Sequence, residues 1–157
     1  TTFTVDLPFM INRTPEKAVE ASADAEECDI CGMSILLVED NRLNTEIAQT
    51  LLEHDGALVT TAANGKEALE LFQAKPAGAF DAILMDVMMP EMNGYEATRA
   101  IRLCDKPDAV DVPIIAMTAN AFTEDVAQAK ESGMNDHLSK PIEIEKLKAT
   151  LAKYRVR

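Results

Sequence analysis

The sequence predicts an α/β protein built on a five-stranded parallel sheet, with the strands in the order 2-1-3-4-5. From Ser34 onward, short apolar segments alternate five times with longer segments whose apolar residues recur at helical spacing. Parallel strands that are joined by helices in right-handed crossovers form a doubly wound sheet. The chain has 157 residues, of which 47% are hydrophobic, and this is enough for one domain with a packed core.

The first strand and the first helix of this region have the most regular patterns. Residues 34–38, SILLV, form a continuous apolar run, which is typical of a strand buried on both faces. The segment that follows is predicted to be a helix, because it carries Leu43, Ile47, Leu51 and Leu52 at helical spacing. We expect Leu43 and Ile47 to be core residues of this helix. The alternative is that they are shared between the core and a contact with a partner protein.

The remaining elements follow in order and are separated by turn residues. Asn64 is placed to cap the second helix, and Gly133 is placed to end the fourth. Strands are predicted at 57–62, 81–85, 113–118 and 136–139, and helices at 65–74, 94–104, 123–133 and 143–154.

The beginning of the chain differs in pattern from the rest. Residues 1–8 alternate like a short strand, whereas residues 9–33 have little hydrophobic periodicity and many acidic and alanine residues. We therefore assign residues 9–33 to an acidic linker and residues 34–157 to the folded domain. Cys28 and Cys31 have the spacing of half a zinc site, but the sequence has no second such pair, so we expect them to be linker thiols.

The net charge of −12, from 27 acidic and 15 basic residues, argues against a nucleic-acid or membrane surface, which needs clustered Lys and Arg. No apolar run approaches the roughly 20 residues of a membrane span, and no signal-peptide pattern is present. We therefore expect a cytoplasmic location. The missing initiator Met suggests a longer parent protein, and that parent is free to carry a membrane anchor.

Polar residues stand at the carboxyl ends of four predicted strands. Glu39 and Asp40 follow strand 1, Asp86 follows strand 3, Thr118 ends strand 4 and Lys140 follows strand 5. The carboxyl ends of parallel strands meet at one edge of a sheet, and ligands bind where the winding reverses, here between strands 1 and 3. We therefore expect these side chains to converge on a functional site.

Three carboxylates at one edge would repel one another unless a cation compensates their charge. Mg²⁺ prefers oxygen ligands, so Asp40 and Asp86 are candidate direct ligands and Glu39 is a direct or water-mediated one. The backbone carbonyl of Met88 is a further candidate. A bound cation would orient a phosphoryl group, and Asp86 is then the candidate nucleophile, since aspartyl phosphate is a known type of intermediate.

Two further side chains complete the predicted phosphoryl site. Lys140 offers a compact positive charge to one phosphoryl oxygen, and Thr118 offers a hydrogen bond to another. The small side chain of Ala119 leaves room for the phosphoryl group.

Residues 34–157 resemble the receiver domain of two-component response regulators. The resemblance is carried, in order and at family-like spacing, by LLVEDN with Glu39 and Asp40, ILMDVMMPEMNG with Asp86, IIAMTA with Thr118 and LSKPI with Lys140. It implies a flavodoxin-like (βα)5 receiver fold in which Asp86 accepts a phosphoryl group from a phosphohistidine of a histidine kinase, with Mg²⁺ required. The domain would then catalyse its own phosphorylation and dephosphorylation.

The resemblance also implies a switch. Thr118 would move toward the phosphoryl group and alter the face formed by helix 4, strand 5 and helix 5. The family usually has a Tyr or Phe three residues before the lysine, and this chain has His137 there. His137 is therefore a switch residue, a partner contact or a ring packed beside strand 5. Met88 and Asn120 occupy positions that tune dephosphorylation, and we expect slow dephosphorylation because Met88 cannot hold a water by hydrogen bonding.

The start of the chain is similar to the last strand of histidine kinase ATP-binding domains, which usually ends in LP. Together with the acidic linker, this indicates the C-terminal receiver of a hybrid sensor histidine kinase. The implied partners are a histidine kinase core and a histidine phosphotransfer protein, whose four-helix bundle would dock through helix 1 and the loop after strand 5. The chain itself is expected to be a monomer without nucleic-acid or membrane contact.

The sequence also bears on three other functions. A phosphatase of the haloacid dehalogenase type needs a second Asp two residues after the nucleophile, where this chain has Met88. Gly65 and Lys66 lack the other residues of a phosphate-binding P-loop. A degenerate receiver that serves only as a docking module remains the alternative, because a sequence does not report kinetics.

Overall fold

The computed structural model describes residues 29–119 and 123–155. Within these ranges, five strands and five helices alternate along the chain. The predictions for the strand at 1–8, for most of the linker, for Cys28 and for Asn120 lie outside the described residues.

The elements lie close to their predicted positions, and the predicted cap at Asn64 is confirmed. Asn41 and Asn93 cap two further helices through their side-chain oxygens. The strands are β1 (Ser34–Val38), β2 (Leu58–Ala62), β3 (Ala82–Asp86), β4 (Ile114–Thr118) and β5 (Asp136–Ser139). The helices are α1 (Arg42–His54), α2 (Gly65–Ala74), α3 (Gly94–Leu103), α4 (Thr123–Ser132) and α5 (Ile144–Lys153).

The strands form one parallel sheet in the order β2-β1-β3-β4-β5, which confirms the predicted order. β1 pairs with both β2 and β3, so the winding reverses between β1 and β3. Every residue of β3 and β4 is buried, as expected of central strands that are covered on both faces. The carboxyl end of β3, which is Asp86, therefore lies at the switch point of the sheet.

Two apolar clusters cover the two faces of the sheet. Leu36 packs in one cluster with Phe72 of α2 and Ile101 of α3. Ile35 packs in the other cluster with Leu52 of α1 and with residues of α5. Because neighbouring residues of a strand point to opposite faces, β1, β3 and β4 each supply both clusters, and helices lie on both sides of the sheet.

The predicted core role of Leu43 and Ile47 is wrong. In α1 the buried residues are Ala48 and Leu52, whereas Leu43 is 63% exposed and Ile47 is 52% exposed. The helix approaches the sheet through the small side chain of Ala48, and this turns the row that contains Leu43 and Ile47 toward solvent. An apolar row on the outside of α1 is the result.

The folded unit also starts earlier than the predicted boundary at residue 34. Ile30 and Met33, which the sequence had placed in the linker, are buried in the cluster under α1. The backbone of this segment is hydrogen-bonded to the turn before β2, with the amide of Gly32 donating to the carbonyl of Gly56 at 2.8 Å.

Among the described helices, none combines the length and the apolar character that crossing a membrane requires.

Candidate functional site

Three acidic side chains meet at the carboxyl edge of the sheet. Glu39 and Asp40 follow β1, and Asp86 is the last residue of β3. One carboxylate oxygen from each lies within 4.8 Å of the others. We refer to Glu39, Asp40 and Asp86 as the acidic cluster. Glu39 and Asp86 are buried, while Asp40 is exposed, so the cluster opens to solvent on one side.

Lys140, which follows β5, points its ammonium group into the acidic cluster. Its Nζ donates to Oε2 of Glu39 at 2.6 Å and to Oδ2 of Asp86 at 2.7 Å. The side chains of Glu39 and Asp86 are only 3% and 6% exposed, so both contacts are shielded from water. The predicted convergence of strand-end residues therefore includes a buried ion pair in which one cation serves two anions.

The protonation of these groups follows from their surroundings. Burial raises the pKa of Asp86, and the charge of Glu39 adds to this effect, while Lys140 and the amide of Met88 offset it only in part. Burial alone would lower the pKa of Lys140, but its hydrogen bonds to Asp86 and Glu39 outweigh burial and raise it. The protonated, charged form of Lys140 is thus stabilised, whereas the ionised form of Asp86 is destabilised.

The loop after β3 shapes the wall of the site behind Asp86. The amide of Met88 donates to Oδ1 of Asp86 at 3.1 Å, and the amide of Gly94 donates to the carbonyl of Val87 at 3.0 Å. A Cβ atom at position 94 would overlap the backbone oxygen of Asp86, so glycine allows α3 to begin directly against the strand end. The Met88 side chain is 74% exposed.

The two predicted switch residues lie in different cavities. Thr118 is buried at the end of β4, where it lines a cavity of about 520 Å³ together with Met88, Tyr95 and Ala119. His137 is half-buried in β5 and lines a separate cavity beside α4. The backbone links Thr118 to the acidic cluster, because the amide of Lys140 donates to its carbonyl at 2.7 Å.

Asn44 also belongs to the site, although it was not predicted. Its Nδ2 donates to Oε1 of Glu39 at 2.9 Å, so the first turn of α1 also contributes to the site. The relevant sign in the sequence was an amide residue five positions after Glu39, on the helix that starts directly beyond the strand end. A residue in the first turn of that helix lies above the same edge of the sheet.

An apolar groove borders the site between α1 and the loop after β5. Its volume is about 440 Å³, and Glu39, Asn44 and Lys140 form its polar end. Its apolar part, which we call the α1 groove, is lined by Ile47, Ala48, Leu51, Pro141 and Ile142. The outward-facing residues of α1 therefore lie directly beside the acidic cluster.

Gly65 has a packing role that accounts for its place in the sequence. A Cβ atom there would lie 2.7 Å from the carbonyl oxygen of Met92. Asn64 caps the helix that begins at this glycine. The start of α2 is thus explained by helix capping and close packing against the loop after β3.

Fold and site together define a small doubly wound α/β domain with an acidic cluster and a paired lysine at its switch point. The chain belongs to the response regulator receiver domain family, which matches residues 35–152. It is 44% identical over 117 residues to hybrid signal transduction histidine kinase B of Dictyostelium discoideum, an alignment that covers 69% of this chain and 6% of that protein. The chain spans only 6% to 8% of the length of its Dictyostelium relatives.

Solved receiver domains share the fold. The receiver domain of sensor histidine kinase PA1611 from Pseudomonas aeruginosa PAO1, crystallised with a magnesium ion coordinated in its active-site cleft, is 40% identical. It matches with a TM-score of 0.70 over 79% of this chain and 98% of that one. This chain also matches the co-crystal structure of the Ssk1 receiver domain from Saccharomyces cerevisiae with the histidine phosphotransfer protein Ypd1. The identity is 28% and the TM-score is 0.70. That match covers 80% of this chain and 90% of the other. This chain is therefore a receiver domain of the two-component phosphorelay type found in hybrid histidine kinases.

Proposed function

We propose that Asp86 is the phosphoacceptor of this receiver domain and takes its phosphoryl group from a phosphohistidine. The observation that carries the proposal is the position of the Asp86 carboxylate. It ends a central buried strand, lies 2.7 Å from Nζ of Lys140 and belongs to the acidic cluster. A carboxylate with a fixed cation and two further carboxylates beside it is suited to phosphoryl transfer.

The acidic cluster has the donor set that Mg²⁺ prefers, namely several oxygen ligands within reach of one ion. Glu39, Asp40 and Asp86, with the backbone carbonyl of Met88, would hold the ion. Lys140 alone cannot neutralise three carboxylates. The pKa of Asp86 is raised chiefly by burial, to which the charge of Glu39 adds. When bound, the ion would supply the positive charge that offsets the negative phosphoryl group. The magnesium ion in the PA1611 receiver domain supports this assignment.

The residues of this chain then have distinct roles. An oxygen of Asp86 forms a bond to phosphorus while the bond from phosphorus to the donor imidazole nitrogen breaks, and the electron pair of that bond stays on the imidazole. Lys140 leaves its contact with Asp86 Oδ2 and pairs with a phosphoryl oxygen. The hydroxyl of Thr118 donates a hydrogen bond to another oxygen, and Ala119 leaves space. Thr118 is the switch residue of the proposal, and His137 in β5, which lines a separate cavity beside α4, is a second switch position that we propose.

The phosphoryl donor and acceptor are proposed to be a histidine kinase core and a histidine phosphotransfer protein of the four-helix kind. The supporting feature is the α1 groove, which includes the exposed Ile47, together with Leu43 exposed on the same helix. It offers an apolar surface beside the acidic cluster. The complex of the histidine phosphotransfer protein Ypd1 with the Ssk1 receiver domain, a homologous fold, supports this proposal. We further propose that the chain is monomeric and cytoplasmic. Among the cysteines that the structure describes, Cys31 and Cys104 are free thiols, which agrees with a reducing compartment.

Incubation with a phosphohistidine-loaded kinase core tests the proposal. The wild-type domain is expected to take up label in Mg²⁺, and Asp86→Asn and an EDTA-treated wild type are expected to take up none. Asp105→Asn is a matched control, because Asp105 is exposed in the loop before β4, away from the carboxyl edge. Equal labelling of Asp86→Asn and wild type would refute the role of Asp86. An unlabelled wild type would instead favour the degenerate docking module.

A further inference from the structure

Both oxygens of the Glu39 carboxylate are held by the protein. Oε2 accepts from Lys140 at 2.6 Å, and Oε1 accepts from Nδ2 of Asn44 at 2.9 Å. Lys140 is shared with Asp86, whereas the Asn44 amide donates to Glu39. The orientation of the Glu39 carboxylate is therefore fixed by two donors. One is the neutral amide of Asn44 on α1, and the other is the ammonium group of Lys140, which also pairs with Asp86.

The start of α1 holds Asn44 firmly in place relative to Glu39. Oδ1 of Asn41 accepts from the amide of Leu43 at 3.0 Å and from that of Asn44 at 3.4 Å. The hydroxyl of Thr45 reaches back to the carbonyl of Glu39 at 3.3 Å. The backbone that carries Asn44 is thus tied to the backbone that carries Glu39, and the side-chain bond between them needs little additional ordering.

We infer that Asn44 is a positioning residue for the acidic cluster, which orients Glu39 as a ligand for the divalent cation. The inference rests on the proposed Mg²⁺ site and deepens it, since it adds a residue that does not itself bind the metal. Asn44 acts through Glu39, and its contribution is the arrangement of a carboxylate before the ion arrives.

Two effects of the Asn44 bond oppose each other. The amide occupies part of Glu39 and could compete with a cation, but it also removes alternative orientations of the carboxylate. A carboxylate has about four acceptor positions, and Asn44 and Lys140 occupy two of them. With both bonds in place, one oxygen of Glu39 already lies within 4.8 Å of oxygens from Asp40 and Asp86. The hydrogen bond between Asn44 and Glu39 is therefore compatible with an arrangement that binds metal. We expect its effect on the orientation of the carboxylate to outweigh its competition with the cation.

Calorimetric titration of the metal-free domain with Mg²⁺ measures the effect without any phosphotransfer. Asn44→Leu keeps a similar volume and removes the donor, and it is expected to raise the Kd for Mg²⁺ about 3- to 10-fold, as loss of one hydrogen bond does. Asn44→Ala is a second variant with the same expected direction. Asn44 is exposed, so neither change removes core packing.

Gln49→Leu is the matched control. Gln49 lies on the same helix and also donates its amide to a carboxylate, Glu53, at 2.8 Å, but this pair is outside the acidic cluster. Its Kd for Mg²⁺ is expected to equal that of the wild type. A double-mutant cycle with Glu39→Gln separates positioning from a general structural effect, because Asn44→Leu should change the Kd little once the Glu39 carboxylate is absent.

The outcomes distinguish this inference from the proposed function. Mg²⁺ binding that is equal in wild type and Asn44→Leu, or effects of Asn44 and Glu39 that simply add, would overturn the positioning role alone. A wild-type domain that binds no Mg²⁺ would overturn the proposed metal site, and the inference with it.

Discussion

Nζ of Lys140 lies 2.7 Å from Oδ2 of Asp86, although 54 positions separate the two residues in the chain. The same nitrogen lies 2.6 Å from Oε2 of Glu39, so one ammonium group serves two buried carboxylates. Among the described residues, Lys140 is the cation that pairs with these carboxylates, so this part of the sheet edge keeps an excess of negative charge. That imbalance determines how substitutions, pH and metal ions should affect the domain.

Replacing Lys140 by Met is expected to lower the free energy of unfolding by about 3 kcal/mol in metal-free buffer, because it leaves two buried carboxylates without their cation. Urea unfolding followed by circular dichroism measures this change. Lys153→Met is the control, since Lys153 is 62% exposed and pairs with Asp136 at the surface. It should cost less than about 1 kcal/mol. Equal losses in the two variants would show that the buried pairing has no special importance.

Replacing Asp86 by Asn is expected to stabilise the metal-free domain. Since the pKa of Asp86 is raised in the folded state, the folded protein binds more protons than the unfolded one between the unfolded pKa of about 3.9 and the folded pKa. Wild-type stability from this group therefore falls as pH rises through that window. The advantage of Asp86→Asn should grow over the same window and stay constant above it.

Urea unfolding of both proteins between about pH 4 and about pH 8, with EDTA present, gives the measurement. The result that would count against this prediction is a variant that is less stable than the wild type at neutral pH and gains nothing as pH rises.

Mg²⁺ is expected to raise the stability of the wild-type domain in proportion to the logarithm of its concentration. At 100 times the Kd the gain should be about 2.7 kcal/mol, because the ion binds the folded state alone. Asp40→Asn should shift this dependence to higher Mg²⁺ concentrations, since it removes one member of the acidic cluster. Thermal unfolding at a series of Mg²⁺ concentrations tests both statements. Asp105→Asn should follow the wild-type curve, and a common curve for all three proteins would contradict the metal site.

The exposed row of α1 provides a prediction about partner binding. Ile47→Ser is expected to weaken binding to a histidine phosphotransfer protein at least about 10-fold, as removal of a central apolar contact does. Its effect on folding should be small, because Ile47 is 52% exposed. Leu103→Ser is the control, since Leu103 is also an exposed helical residue but lies at the end of α3. Surface plasmon resonance with the immobilised partner compares them, and equal affinities would place the contact elsewhere.

The position of the site could be predicted because parallel topology makes it a consequence of strand order. Once the strands are recognised, Asp86, Thr118 and Lys140 must lie at one edge, whichever way their side chains rotate. The convergence of Glu39, Asp40 and Asp86 confirms that reasoning in the structure. The assignment of metal ligands, phosphoacceptor and switch stays a prediction.

The orientation of α1 could not be predicted in the same way. Its sequence has two adjacent apolar rows, one through Leu43 and Ile47 and one through Ala48 and Leu52. Periodicity favours the row with larger side chains, but the helix packs through the smaller one because Ala48 allows a closer approach to the sheet. The contact of Asn44 with Glu39 depends on which side of α1 faces the sheet, and for this reason it was not predicted from the sequence either.

At position 88 the backbone is constrained and the side chain is not, whereas at most positions of a protein both are constrained together. The backbone of Met88 is fixed by the contact with Asp86 and by the closed loop that ends at Gly94, while its side chain extends into solvent. Substitutions there need not disturb the packing of the sheet, the charge balance of the acidic cluster or the α1 groove. In the proposed phosphoacceptor site, we expect the side chain at this position to affect the approach of water to the phosphoryl group. The proposed site would then allow the duration of a response to change through this position with little effect on folding or on partner recognition.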